Sequence, residues 1–159
     1  MKPLSDNQSV RSRERHLVRA ILWEPTKPLG PNISTALSYS LVPGMWENNE
    51  VAFIAKSICE VVAMGRQPTT PTVMEASNKL PLVFSSISNS QVVNELDNTL
   101  GEPQPLPLSC MEVEAFDLVR HYHGKRIYNL ISEASEKCRL NMSEAPTIAK
   151  QLVEQLSKV

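Results

Sequence analysis

The sequence predicts an all-α protein, with a small multi-helix head followed by a C-terminal antiparallel helical hairpin. Glycine is rare, at five of 159 residues, and the twelve prolines mostly fall where periodic segments end. Apolar residues recur at spacings of three and four over long stretches, a pattern that favours helices over strands. The hydrophobic fraction of 42% is large enough for a buried core.

The predicted head, residues 1–100, consists of helices separated by proline and glycine. The expected helices cover about 9–23, 34–41, 47–64, 70–79 and 88–100. Gly65 follows the third helix, where a C-terminal cap belongs. Thr70 and Pro71 fit an N-cap followed by proline at the first helical position. These boundaries are therefore set by residues whose backbone preferences start or stop a helix.

A proline-rich linker, residues 101–108, is predicted to separate the head from a hairpin at residues 109–159. Three alternating prolines in the linker favour an extended backbone. Ser109 and Ser143 are the expected N-caps of the two hairpin helices. Two helices cannot enclose a core, so their apolar face needs the head or another chain. We expect self-association through Phe116, Val119, Ile127, Leu130, Ala134, Ile148, Leu152 and Leu156.

The charge balance argues against a domain that holds nucleic acid mainly by electrostatics. The formal net charge is -1 and the pI is near 6.3, whereas phosphate neutralisation needs a surplus of Lys and Arg. Arg11, Arg15 and Arg19 are four residues apart on the first helix. They form either a solvated face or a contact to DNA or an acidic partner.

The expected location is the cytoplasm. The first eight residues are polar and lack the apolar region of a signal peptide. No apolar run reaches the roughly 18–20 residues that a membrane span needs. Three widely spaced cysteines make a poor disulfide framework. We therefore expect no membrane partner.

Two patterns suggest chemistry, and neither is complete. Gly124 and Lys125 match part of a phosphate-binding loop, but Val119 and Arg126 stand where that motif needs glycine and Ser or Thr. No recognisable nucleophile or metalloprotease motif is present in the sequence. The expectation is a chain without catalytic residues or a cofactor.

A metal site is not expected either. His121 and His123 are two residues apart, so on a helix they point to different faces. Cys110 and Cys138 are distant from both histidines and do not form a Cys-x-x-Cys pair.

Several short motifs occur in order along the chain, and the most distinctive is residues 114–120, followed by the basic pair Lys125 and Arg126. These motifs resemble the N-terminal domain of DnaB-type bacterial replicative helicases, in which the corresponding segment is close to Glu-Ala-Tyr-Ala-x-Ile-Val-Arg and is followed by a basic pair. Arg19 stands where the family has glycine. The other matching segments are residues 14–25, residues 96–98 and residues 107–109. A further match consists of residues 54–65 followed by Pro68 and residues 72–73.

The resemblance implies a non-catalytic scaffold in DNA replication. In that family a helical head carries a protruding hairpin, and the hairpins pair to form a trimer of dimers. The resulting collar docks the C-terminal domain of primase and the helicase loader. ATP and Mg²⁺ belong to a motor domain that would follow residue 159. The expected partners are therefore a second copy of the chain, primase and the loader, with DNA bound weakly if at all.

Two other functions fit the sequence. The chain could be a stand-alone protein of a mobile element that binds and modulates a host helicase or loader. It could also be a small helical DNA-binding regulator that uses Arg11, Arg15 and Arg19.

Overall fold

The computed structural model describes residues 7–79 and 106–159, and every regular element in these two ranges is helical. The all-α prediction is confirmed. The described ranges contain six α-helices and two short 3-10 helices, Tyr39–Leu41 and Met142–Glu144. The α-helices are α1 (Asn7–Trp23), α2 (Pro31–Ser38), α3 (Asn49–Ala63), α4 (Thr70–Lys79), α5 (Leu108–Leu140) and α6 (Ala145–Ser157).

Most predicted boundaries agree with the structure to within two residues, but four predicted helix starts differ. α5 begins at Leu108, so Ser109 lies inside this helix and is not its N-cap. α2 begins at Pro31 rather than near residue 34, because proline is tolerated at the first helical position. The N-cap of α4 is Thr69, whose hydroxyl accepts from the Thr72 amide at 3.3 Å. Ser143 does not cap the last helix, because its hydroxyl bonds the Asn141 side chain and α6 begins after Glu144.

The C-terminal cap predicted at Gly65 is confirmed. Gly65 has a φ of 73°, in the left-handed region that favours glycine. Its amide bonds the carbonyl of Val62, and the Arg66 amide bonds the carbonyl of Val61. These bonds satisfy carbonyls that the end of α3 would otherwise leave without a partner.

Two further predictions fall mainly on residues that the structure does not describe. The helix expected at 88–100 lies outside the described residues, and so do residues 101–105 of the expected linker. The chain divides into two compact units at Val119, within α5. We call residues up to Val119 unit 1 and residues 120–159 unit 2. The first three turns of α5, which we expected to belong to the hairpin, are thus part of unit 1.

Unit 1 is organised around α3, which contacts α1, α2, α4 and the first 3-10 helix. Eight of the fifteen residues of α3 are buried, so this helix is the centre of the core. The largest fully buried apolar side chains of unit 1 lie on α1, α2, α3 and the first turns of α5. They are Leu17, Ile21, Ile33, Phe53, Ile54, Ile58, Met111 and Leu118.

Unit 2 contains the rest of α5, the second 3-10 helix and α6. The second half of α5 and α6 line a common cleft, which we call the interhelical cleft. Its lining residues are Leu130, Glu133, Ala134, Lys137, Ile148, Gln151, Leu152 and Gln155. No residue of α6 is buried, although its apolar residues Ile148, Leu152 and Leu156 recur every four positions.

Candidate functional site: three glutamate caps and an open interhelical cleft

Three glutamates in unit 1 each accept backbone hydrogen bonds at the start of a different helix or from the residues that immediately precede it. We call Glu14, Glu24 and Glu112 the three glutamate caps. The first amides of a helix have no partner within that helix, and a carboxylate there satisfies them and opposes the helix dipole. The caps therefore connect four helices by bonds between distant parts of the sequence.

Glu14 is fully buried on α1 and bonds the backbone that leads into α3. Its two carboxylate oxygens accept from the amides of Glu47 at 3.0 Å and Asn48 at 2.8 Å. Asn48 is the N-cap of α3, and its own side chain accepts from the Val51 amide. A buried carboxylate with these bonds fixes the entry into the central helix of the core.

Glu112 on α5 caps α2, whose own N-cap residue is Gly30 and so has no capping side chain. The carboxylate accepts from the amides of Asn32 at 2.7 Å and Ile33 at 3.1 Å. A Cβ added at Gly30 would lie 2.3 Å from a Glu112 oxygen. Glycine is therefore needed at residue 30 for the carboxylate to approach.

Glu24 follows α1 and caps α5. It accepts from the Leu108 amide at 2.9 Å and forms an ion pair with Lys27 at 2.6 Å. The hydrogen bond from Lys27, followed by that from the Leu108 amide, lowers the pKa of Glu24 below its ordinary value. The charged form of Glu24 is thus favoured by folding.

This pKa shift predicts a loss of stability in acid. A lowered pKa in the folded state stabilises the protein above the ordinary glutamate pKa of about 4.3. The contribution disappears as the pH falls through the lower, folded value. We expect Glu24→Gln to be destabilised relative to the native chain at pH 7, with a smaller difference at pH 3. Urea unfolding followed by circular dichroism would measure the free energy of unfolding of the variant and of the native chain at both pH values. The same difference at pH 3 as at pH 7 would exclude a link between the pKa of Glu24 and stability.

The structure separates the three arginines of α1 that were candidates for DNA contact. Arg11 is exposed, Arg15 is half-buried and Arg19 is only 6% exposed. A spacing of four advances the helix angle by about 40°, so the second step carries Arg19 toward the core. Arg19 thus does not share an exposed face with Arg11. Contact with DNA or an acidic partner stays a prediction for Arg11 and Arg15.

Arg13, which no sequence pattern indicated, joins α1 to α5. One guanidinium nitrogen lies 2.9 Å from Glu114 and 3.5 Å from Asp117. The two acidic residues are three positions apart and so lie on one face of α5. Arg13 therefore positions the start of α5 within unit 1.

The eight residues predicted for self-association fall into two groups. Leu130, Ala134, Ile148 and Leu152 line the interhelical cleft and are half-buried, with Leu156 half-buried farther along α6. Phe116 and Ile127 are exposed, at 50% and 38%, and Val119 is half-buried. The first group is brought together by the fold, and the cleft that it lines remains open to solvent.

Groups that could support other chemistry are sparse in the described residues. No cluster of three His, Cys, Asp or Glu residues suited to a metal ion occurs in residues 7–79 and 106–159. The three cysteines are free, and burial raises the pKa of the Cys59 thiol. Among the described helices, none is both long and apolar enough to cross a membrane.

No family model, curated protein or solved structure matches the chain.

Proposed function

We propose that this chain is a non-catalytic helical scaffold that associates with a second copy of itself through unit 2. The observation that carries the proposal is the exposure of α6. This helix has an apolar residue every four positions, yet none of its residues is buried. An amphipathic helix gains most of its stability from burying its apolar face. We therefore expect the apolar face of α6 to pack against a second copy of the chain.

The proposed arrangement is an antiparallel hairpin that pairs with the hairpin of another copy. A linker of four residues, 141–144, joins α5 to α6, and such short connections join antiparallel neighbours. Two hairpins packed cleft to cleft would form a four-helix bundle with Leu130, Ala134, Ile148 and Leu152 inside. In this proposal unit 1 is the head, and the first turns of α5 anchor the hairpin to it.

The biological role that we propose follows from the resemblance to the N-terminal domain of DnaB-type helicases. The chain would contribute to oligomerisation and would dock primase or a helicase loader during DNA replication in the cytoplasm. The matching residues 114–120 include the acidic residues that pair with Arg13. Glu114 and Asp117 join the start of α5 to α1 through Arg13. A structural role for these acidic residues supports the proposal of a scaffold.

We predict that Leu130→Asp converts the self-associated protein into a monomer. A carboxylate in the cleft would have to lose its water on association without gaining a partner, and burying such a charge costs several kcal/mol. Light scattering after gel filtration would measure the molar mass. Circular dichroism would show whether the helices persist.

Val153→Asp is the matched control for this substitution. Val153 is 67% exposed on α6 and does not line the cleft. The proposal predicts an unchanged molar mass for this variant. A native chain that is already monomeric, or a Leu130→Asp variant that still associates, would contradict the hairpin arrangement.

A further inference from the structure

A cavity of about 310 Å³ in unit 1 is lined by α1 and by residues at the start of α5. This volume is at the lower end of the range of pockets that hold small ligands, roughly 300–1,000 Å³. The residues from α1 are polar and share one face of that helix. They are Ser9, Ser12, Arg13 and His16. Leu106, Met111 and Glu114 complete the lining, so the cavity combines polar groups with two apolar side chains.

The charges of Arg13 and Glu114 in this cavity are already paired within the chain. Nη1 of Arg13 lies 2.9 Å from Oε2 of Glu114 and 3.5 Å from Oδ2 of Asp117. A negatively charged ligand would meet the Glu114 carboxylate, and a positively charged ligand would meet the Arg13 guanidinium. Either ligand would lose hydration without gaining an unpaired opposite charge. The cavity therefore favours a neutral ligand.

Hydrogen-bonding capacity remains beside these ion pairs. Both contacts of Arg13 use Nη1, whereas a guanidinium also has donors on Nε and Nη2. The ion pair uses Oε2 of Glu114, so Oε1 can accept a hydrogen bond. The hydroxyls of Ser9 and Ser12 form no hydrogen bond with the described part of the chain, and each can donate and accept. The cavity thus offers both donors and acceptors to a ligand.

We propose that this cavity binds a neutral carboxamide group, such as the side chain of glutamine or asparagine. A carboxamide has a carbonyl oxygen that accepts and an NH2 group that donates. Its oxygen would accept from Arg13 and its nitrogen would donate to Glu114, while the adjoining methylene groups would lie against Leu106 and Met111. This site belongs to unit 1 and does not depend on self-association through unit 2.

Three capped amino acids with side chains of similar size test this choice of ligand on the full chain. They are the N-acetyl methylamides of glutamine, glutamate and methionine, titrated into isotope-labelled protein and followed by NMR. Capped glutamine should shift the amide signals of residues 9–16 with a Kd on the order of 1 mM, given its roughly 14 heavy atoms. Capped glutamate and capped methionine should each bind about tenfold more weakly, because the first repels Glu114 and the second leaves the polar groups unpaired.

Butyramide distinguishes two sources of the carboxamide. It has the amide and the aliphatic chain of a glutamine side chain but no peptide backbone. Butyramide binding as tight as that of capped glutamine would support a free small amide as the ligand. Much weaker binding would support a segment of a partner protein.

Ser12→Phe should abolish the binding of capped glutamine, because the aromatic ring would fill the cavity. Ser12 is exposed, so the fold should tolerate the larger side chain. Ser34→Phe is the matched control, because Ser34 is an exposed serine on α2 that does not line the cavity. It should leave the affinity unchanged.

Arg13→Lys tests the role of the guanidinium, because lysine keeps the positive charge beside Glu114 but lacks the planar set of donors. This variant should bind capped glutamine about tenfold more weakly. Circular dichroism would show whether its helices persist. Equal affinity for the three capped amino acids, no binding of capped glutamine, or undiminished binding by Ser12→Phe would overturn the proposal.

Discussion

Glu14→Ala is expected to destabilise the protein by about 3 kcal/mol, the largest effect of any substitution proposed for unit 1. The carboxylate is fully buried and accepts from the amides of Glu47 and Asn48. Alanine would leave both amides without this acceptor and would open a cavity beside the core. Because the Glu47 and Asn48 amides immediately precede α3, the loss of their acceptor would destabilise the start of the helix against which the rest of unit 1 packs.

Urea unfolding followed by circular dichroism would measure this loss through the midpoint and slope of the transition. Glu14→Gln should lose less, because its amide oxygen can still accept one of the two bonds. Glu60→Ala is the matched control, since Glu60 is an exposed glutamate on α3. A loss at Glu14→Ala no larger than at Glu60→Ala would show that the cap does not stabilise the fold.

The helices could be predicted because their signals are local. Apolar spacing and the breaks at proline and glycine locate α1, α3 and α4 closely, and the cap at Gly65 has the expected backbone conformation. The start of α2 has a local signal in Pro31 at the first helical position, but its cap comes from Glu112, eighty residues away. No local pattern around Gly30 contains that information.

Of the three glutamate caps, only Glu14 is indicated by a pattern in the sequence. Glu14 is in phase with Val10, Leu17 and Ile21, so a charged residue lies on the apolar face of α1. Such a residue requires a buried partner, although the sequence cannot identify the amides of Glu47 and Asn48 as that partner. Glu112 lies in the first turns of α5, where nothing in the sequence indicates that its carboxylate caps another helix.

The apolar stripe expected along α5 lines the interhelical cleft over only part of its length. Periodicity alone placed Phe116 and Ile127 in one stripe with Leu130 and Ala134. The structure places only the latter two in the interhelical cleft. A stripe in a 33-residue helix drifts around the axis, since 3.6 residues per turn do not match a repeat of 3.5. Different stretches of one apolar stripe can therefore face different neighbours, which spacing does not reveal.

Gly30→Ala is expected to destabilise the protein by about 2 kcal/mol, although alanine usually favours helices. The new Cβ would lie 2.3 Å from a Glu112 oxygen, so the carboxylate would have to leave. Its departure would free the amides of Asn32 and Ile33 at the start of α2. Gly124→Ala provides a matched control, because nothing lies within 4 Å of the added Cβ. That variant should gain about 1 kcal/mol.

A double-mutant cycle with Glu112→Ala separates the clash from any general intolerance of a side chain at residue 30. If Gly30 matters because it admits the Glu112 carboxylate, Gly30→Ala should cost almost nothing once that carboxylate has been removed. The coupling energy would then be close to the full cost of Gly30→Ala in the native chain. Additive losses from the two substitutions would mean that the approach of Glu112 to Gly30 is not what holds α5 against the start of α2.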